Sequence, residues 1–172
     1  MSSGFTEFDT AIGRCGIAWG ERAITGVWLP GTRRVRESVP PPPEVEDVIE
    51  AVIALLDGGR RELSWVPLDM EGLEDFDRRV YETARTIPPG ATASYGDVAA
   101  RLGAPHASRD VGRALARNPF AIVVPCHRVI GAGGEVGGFS AAGGVTTKVQ
   151  LLAIEGARSE QKSLFDGDRP HD

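Results

Sequence analysis

Residues 94–117 limit most strongly how this chain can fold. Two short amphipathic segments flank a Gly103-Ala104-Pro105 turn. In the first, Ser94 to Leu102, the residues Val98, Ala99 and Leu102 share one face. In the second, Ala107 to Arg117, an apolar face is made by Ala107, Val111 and Leu115. Two helices joined by a tight glycine-containing turn give helix–turn–helix spacing. Arg109, Arg113 and Arg117 step by four along the opposite face of the second helix. A basic face of this kind is more often simply solvated, so the spacing alone is compatible with DNA contact without requiring it.

The rest of the chain supplies two different settings. Ile12, Ile17, Ala18 and Trp19, then the turn-like Gly20-Glu21-Arg22, then Ile24 to Leu29 read as short strands. After the rigid Pro40–Pro43 loop, Val45, Val48, Ile49, Val52, Ile53 and Leu56 recur at helical spacing until Asp57-Gly58-Gly59 stops them. A second unit starts near Leu73, where Phe76, Val80 and Ala84 mark a helix that Pro88-Pro89-Gly90 ends. Phe120 to Val124 reads as a buried strand running into a turn at Pro125, and Lys148 to Glu155 as a last helix. The expected fold class is α+β. A strand-and-helix scaffold domain over 1–72 precedes a mostly helical domain with the helix–turn–helix over 73–157, and 158–172 forms a flexible tail.

Charge and cysteine usage narrow the functional classes. The net charge is −5, yet residues 90–158 carry seven Lys/Arg against four Asp/Glu, a local basic footprint inside an acidic chain. No apolar run approaches the roughly 20 residues of a membrane span, and the N-terminus lacks the features of a signal peptide. The expectation is a cytoplasmic protein with no membrane partner. Two cysteines, Cys15 and Cys126, are too few for a disulfide framework and fit a reducing compartment. No metal site is expected: Cys15 and the distant His106 cannot close a tetrahedral shell.

Cys126 is the candidate nucleophile. A thiol reacts as thiolate, so it needs a neighbour that takes its proton. His127 adjoins it, but in an extended strand the two side chains would point to opposite faces. Pro125 breaks the strand and permits a closer arrangement. Read alone, the pair is a weak signal, and a buried, inert thiol is the more common case.

Ordered motifs decide between these readings. Ala93-Ser94-Tyr95-Gly96, Arg109-Asp110-Val111-Gly112, Asn118-Pro119, Pro125-Cys126-His127-Arg128-Val129, and finally Gly143-Gly144, Lys148 and Leu151-Leu152-Ala153-Ile154-Glu155-Gly156 follow one another. Together they resemble the O6-alkylguanine-DNA alkyltransferases, closely over about 73–157 and only in outline before that. The resemblance implies DNA repair by direct reversal, with an alkyl group moved irreversibly from O6-alkylguanine to the protein's own cysteine in a single turnover. O4-alkylthymine is a second substrate it admits. No cofactor is implied. The implied partner is double-stranded DNA carrying the alkylated base, bound through the minor groove with the base flipped out.

Residue by residue, Cys126 resembles the alkyl acceptor. His127 resembles the base that acts through a water, Glu155 its orienting acid, and Tyr95 a hydroxyl that assists departure of guanine. Arg109 resembles the side chain that fills the gap in the stack. Gly112 and Ala114 are small residues that let the helix approach the groove, and Arg113, Arg117 and Arg128 are expected at the DNA. Asn118, Val129 and either Ser140 or Ala142 are expected around the base. The glycine-rich stretch 137–144 is about two residues longer than in many relatives, so the choice between Ser140 and Ala142 stays open. Asp110 also departs from the small apolar residue common at its position. Two rival classes share parts of this pattern. A damage-flagging binding protein would lack the acceptor that Cys126 supplies. A cysteine hydrolase would call for a separate, distant histidine. In the tail, Gln161-Lys162-Ser163-Leu164-Phe165 resembles the short peptide by which bacterial repair proteins bind the sliding clamp, with Gln161, Leu164 and Phe165 as its contacts.

Overall fold

A computed structural model describes residues 2–32, 36–134 and 144–157. Three antiparallel strands open the chain: β1 (Gly4–Thr10), β2 (Gly13–Trp19) and β3 (Ile24–Trp28), in the order β1-β2-β3. Helix α1 (Pro43–Ala54) begins at a proline whose missing N–H is not needed there. Its residues Val45, Val48 and Val52 pack with Ile17, Trp19, Ile24 and Val27 in one hydrophobic core. A single wider turn, Leu55–Gly59, closes the helix, with Gly58 at φ 93°.

Helix α2 (Asp75–Ala84) starts the second stretch. A two-residue strand β4 (Ala93–Ser94) leads into α3 (Tyr95–Arg101), and α4 (Ser108–Ala116) follows. Ser94 caps α3 in both directions: its hydroxyl accepts from the Asp97 N–H, and the Asp97 carboxylate accepts from the Ser94 N–H. Between α3 and α4 the chain reverses at Gly103, whose φ of 75° suits glycine. Helix α2 is fastened across α4 by the buried Tyr81 hydroxyl, which donates to the Ala114 carbonyl at 2.7 Å. Val80, Val98, Val111, Leu115 and Phe120 belong to this second core.

The two cores are not separated at residue 72. Ile122, Val123 and Leu151 pack into the first one. The Arg85 guanidinium, at the end of α2, donates to the carbonyls of Leu63 (3.1 Å) and Val66 (2.7 Å).

The expected strand over 120–124 is not formed. Phe120 makes only an isolated bridge to Val27, and the strand that follows among the described residues is β5 (Val129–Ile130), which pairs in parallel with β4. The apolar run is buried but folded: the Val124 N–H donates to the Phe120 carbonyl (2.9 Å), and Ile122 has φ 72°. Asn118 causes this. Its side-chain oxygen accepts from the Phe120 N–H at 2.9 Å and its amide donates to the Val124 carbonyl at 3.0 Å, claiming groups that a strand ladder would use. Helix α5 (Gly144–Ile154) is the last element of the described residues, which run on to Ala157. Among the described residues no helix is long and apolar enough to cross a membrane.

Candidate active site

Pairing of β4 with β5 sets Ala93 opposite Val129 and Ser94 opposite Ile130. It thereby carries Tyr95, the first residue of α3, to the short turn Cys126–Arg128. That turn is tight: the Cys126 N–H donates to the Val124 carbonyl (2.8 Å) and the Arg128 N–H to the Pro125 carbonyl (2.9 Å). A turn, unlike a strand, does not throw consecutive side chains to opposite faces of a sheet. Cys126 is half-buried, a free thiol, whereas His127 is 1% exposed.

His127 is held from behind. Its Nε2 lies 2.7 Å from Glu155 Oε1, at the C-terminal end of α5. Glu155 is itself held by Arg128, which donates Nε to Oε1 at 2.9 Å and Nη2 to Oε2, while its Nη1 donates to the Ile87 carbonyl at 2.6 Å. Burial alone would raise the Glu155 carboxyl, but the hydrogen bonds of His127 and Arg128, the Arg128 charge and, in acid, the charge of a protonated His127 outweigh it and hold the group at about 2. Burial pushes the His127 imidazole below its ordinary value, against the pull of Glu155. The ring is therefore neutral and donates Nε2–H to an ionised carboxylate. Nδ1 is then an acceptor, and it has no hydrogen-bond partner among the described residues.

The thiol side has its own charge. Burial raises the Cys126 thiol, opposed by the Asn118 side chain, the Lys148 ammonium and the N–H groups of the turn. Lys148 is 1% exposed and donates to the Val129 carbonyl at 2.6 Å and to the Tyr95 hydroxyl at 3.3 Å. Its Nζ also lies 5.5 Å from the Tyr95 ring centroid. Burial, then the Cys126 charge, raises the Tyr95 hydroxyl, so it stays protonated and can donate. Burial lowers Lys148, and Cys126 opposes that shift.

The residues expected to act together therefore converge in part. Cys126, His127, Glu155 and Tyr95 gather around one turn, with Asn118 and Val129 beside them. Arg109 and Arg113 are exposed on α4. Arg109 has no ion pair or hydrogen bond among the described residues, and Arg113 meets Asp110 at 3.4 Å. Arg117 is engaged, its guanidinium forked onto Asp77 (2.8 and 3.1 Å), which ties α4 to α2. Gly112 is half-exposed; a methyl group there would meet the Tyr95 ring only at 3.9 Å, so packing does not demand glycine.

Two expectations are corrected. Arg128 is not at a DNA-facing surface: it is 5% exposed and fully committed to Glu155 and Ile87. Ala114 does not line a groove: it is 0% exposed and packs in the second core, one helical turn from Val111. Ser140, Ala142, Gln161, Leu164 and Phe165 lie outside the described residues. Lys148 was legible only as a motif position. The signal that marks it is a lone cation in an otherwise uncharged helix, Gly144–Ile154.

Known proteins share this arrangement of chain. Residues 75–157 match the family model described as the DNA-binding domain of 6-O-methylguanine DNA methyltransferase. The chain is 36% identical over 146 residues to the methylated-DNA–protein-cysteine methyltransferase of Methanothermobacter thermautotrophicus, covering 84% of this chain and 81% of that one. It is 51% identical over 102 residues to the protein of the same name from Mycolicibacterium paratuberculosis, 59% of this chain and 60% of that one. The fold is similar to the crystal structure of Mycobacterium tuberculosis OGT in complex with DNA, with a TM-score of 0.77 and 37% identity over 88% of this chain and 92% of that one. Because the likeness extends through the strand-and-helix half as well as the half that carries the cysteine, the chain belongs to the methylated-DNA–protein-cysteine methyltransferase family.

Proposed function

We propose that this protein repairs duplex DNA containing O6-alkylguanine by moving the alkyl group to Cys126. The observation that carries the reading is the His127 ring, fixed by Glu155 through Nε2 and left with an unpartnered buried acceptor at Nδ1. Through a bridging water, Nδ1 takes the Cys126 proton. The thiolate sulfur then attacks the alkyl carbon, an S–C bond forms, and the bond from that carbon to O6 breaks. The electron pair leaves with guanine, which the Tyr95 hydroxyl helps to neutralise by donating a proton toward the ring. The imidazolium is balanced by Glu155 and the developing thiolate by Lys148. The thioether has no leaving path, so each molecule acts once.

The target carbon is hidden in a duplex, so the base is flipped into the site from the minor groove. Arg109, at the centre of the exposed face of α4, enters the stack in its place. Arg113 meets phosphate. O4-alkylthymine is a second substrate of the same chemistry. The tail, through Gln161, Leu164 and Phe165, tethers the protein to the sliding clamp and so raises its local concentration at newly copied DNA.

Mass spectrometry after exposure to an O6-methylguanine duplex tests the reaction. One methyl group on Cys126 per molecule, and none on Cys126→Ala, is the expected result. Turnover beyond one equivalent overturns it, and tight binding without transfer identifies a damage sensor instead. Titration of a 157–172 peptide against purified clamp tests the tether, which absence of binding refutes.

A further inference from the structure

Helix α4 carries an acid where a DNA-facing helix ought to avoid one. Its buried side is Val111, Ala114 and Leu115, and its exposed residues include Arg109, Asp110, Arg113 and Arg117. Successive residues turn by about 100° around a helix. Arg109 therefore points straight away from the core, Gly112 lies on the flank beside Tyr95, and Asp110 lies on the opposite flank. Among the described residues Asp110 pairs only with Arg113, at 3.4 Å, with the two side chains 60% and 71% exposed. A contact that long and that exposed does not hold the carboxylate in place. Asp110 also sits in the first turn, where an acid suits the helix dipole. That role would stabilise α4 without reading any base.

The chemistry of the minor groove gives the acid a second role. A·T and T·A pairs present only acceptors there, adenine N3 and thymine O2, whereas a G·C pair adds the guanine N2 amino donor. A carboxylate can only accept. Next to an A·T pair it faces lone pairs and phosphate charge with nothing to compensate them. Next to a G·C pair it finds a donor. We propose that Asp110 makes repair dependent on sequence context: its carboxylate accepts a hydrogen bond from the N2 amino group of a guanine in the base pair next to the lesion, on the side of α4 away from Tyr95. Lesions flanked by G·C are repaired faster than lesions flanked by A·T. This rests on the minor-groove reading above and assigns a specificity residue to it.

The test is the single-turnover rate of Cys126 alkylation in duplexes that differ only at the flanking pair. Four pairs are compared: G·C, inosine·C, A·T and 2,6-diaminopurine·T. Inosine removes only the N2 amino group of guanine, and diaminopurine adds one to adenine. The wild-type chain should favour G·C over A·T by about tenfold, the scale of one hydrogen bond to a charged group. Inosine should behave as A·T and diaminopurine as G·C. Asp110→Ala should lose the preference. Asp110→Asn, whose amide both donates and accepts, should gain specifically on A·T. Both variants should react with free O6-benzylguanine at the wild-type rate. A preference that survives in Asp110→Ala, or that inosine does not abolish in the wild type, overturns the assignment. So does an equal slowing of every duplex by Asp110→Ala, the mark of a purely structural acid. If the wild-type chain alkylates Cys126 from no duplex at all, the proposed function has failed. If it does so from all four at one rate, only the context reading has failed.

Discussion

Replacing Glu155 with Gln removes the negative charge that the buried Arg128 guanidinium pairs with and that the His127 ring is held by. The side chain is 3% exposed, meets His127 at 2.7 Å and is forked by Arg128. Its carboxyl is held at about 2 against an ordinary value of 4.5. Removing one partner of a buried ion pair costs about 3–5 kcal/mol, and the depressed carboxyl points the same way. The sign follows from the direction of the shift. A carboxyl depressed in the folded state stabilises fully above its unfolded value and loses that contribution as pH falls through its folded value. Urea unfolding of wild type and Glu155→Gln at pH 7 should therefore differ by about 3–5 kcal/mol. The gap should narrow as pH is lowered from about 4.5 toward 2, where the wild-type carboxylate takes up a proton. Alkyl transfer from free O6-benzylguanine should slow by roughly a hundredfold, because the imidazolium loses its counter-charge. A stability gap below about 1 kcal/mol at pH 7, or one that does not change with pH, would refute the argument.

Other perturbations separate the parts of the site. Arg109→Ala should impair transfer from duplex far more than from free O6-benzylguanine, which needs no flipping; equal loss on both would make Arg109 a support of the pocket. Lys148→Met should slow reaction with the free base by about tenfold or more while leaving DNA binding, measured by fluorescence anisotropy, intact. An unchanged rate would remove Lys148 from the chemistry. Binding to undamaged duplex should weaken linearly in log salt, and Arg113→Gln should reduce that slope by about one, with an unchanged slope ruling out a phosphate contact. Asp77→Asn should lower the urea midpoint, since Arg117 loses a bidentate carboxylate, and a midpoint equal to wild type would show that the pair is not what fastens α4 to α2.

The sequence was legible where its information was local. Gly103 and the i, i+4 apolar steps placed α3 and α4, because a helix pair joined by a tight turn is encoded within the segment that forms it. Val45, Val48 and Val52 placed α1 for the same reason. The run Phe120–Val124 misled because apolar residues report burial, not extension. What bends it is the Asn118 carboxamide, and nothing in the hydrophobic pattern records where that amide points. The place of Ala114 is local information too: it stands three residues after Val111, on the same buried stripe, and helical position outweighs its small size.

Arg128 was not within reach, and its real task explains the rest of the site. Its partner Glu155 lies 27 residues away in sequence, and no periodicity links the end of α5 to the turn after Pro125. A carboxylate as enclosed as Glu155 would tend to take up a proton and become useless to His127. His127 and the Arg128 fork together outweigh that tendency and keep the carboxylate ionised. Burial meanwhile raises the thiol and lowers the imidazole, so the resting pair is neutral and poorly reactive toward stray electrophiles. In the proposed reaction Glu155 and Lys148 are thus fixed charges on either side of a neutral pair, each opposite in sign to the charge that would appear next to it when the proton leaves Cys126. The proposed single-turnover reaction gains from this arrangement, since a thiolate formed in advance would be open to capture by any alkylating agent that reached it.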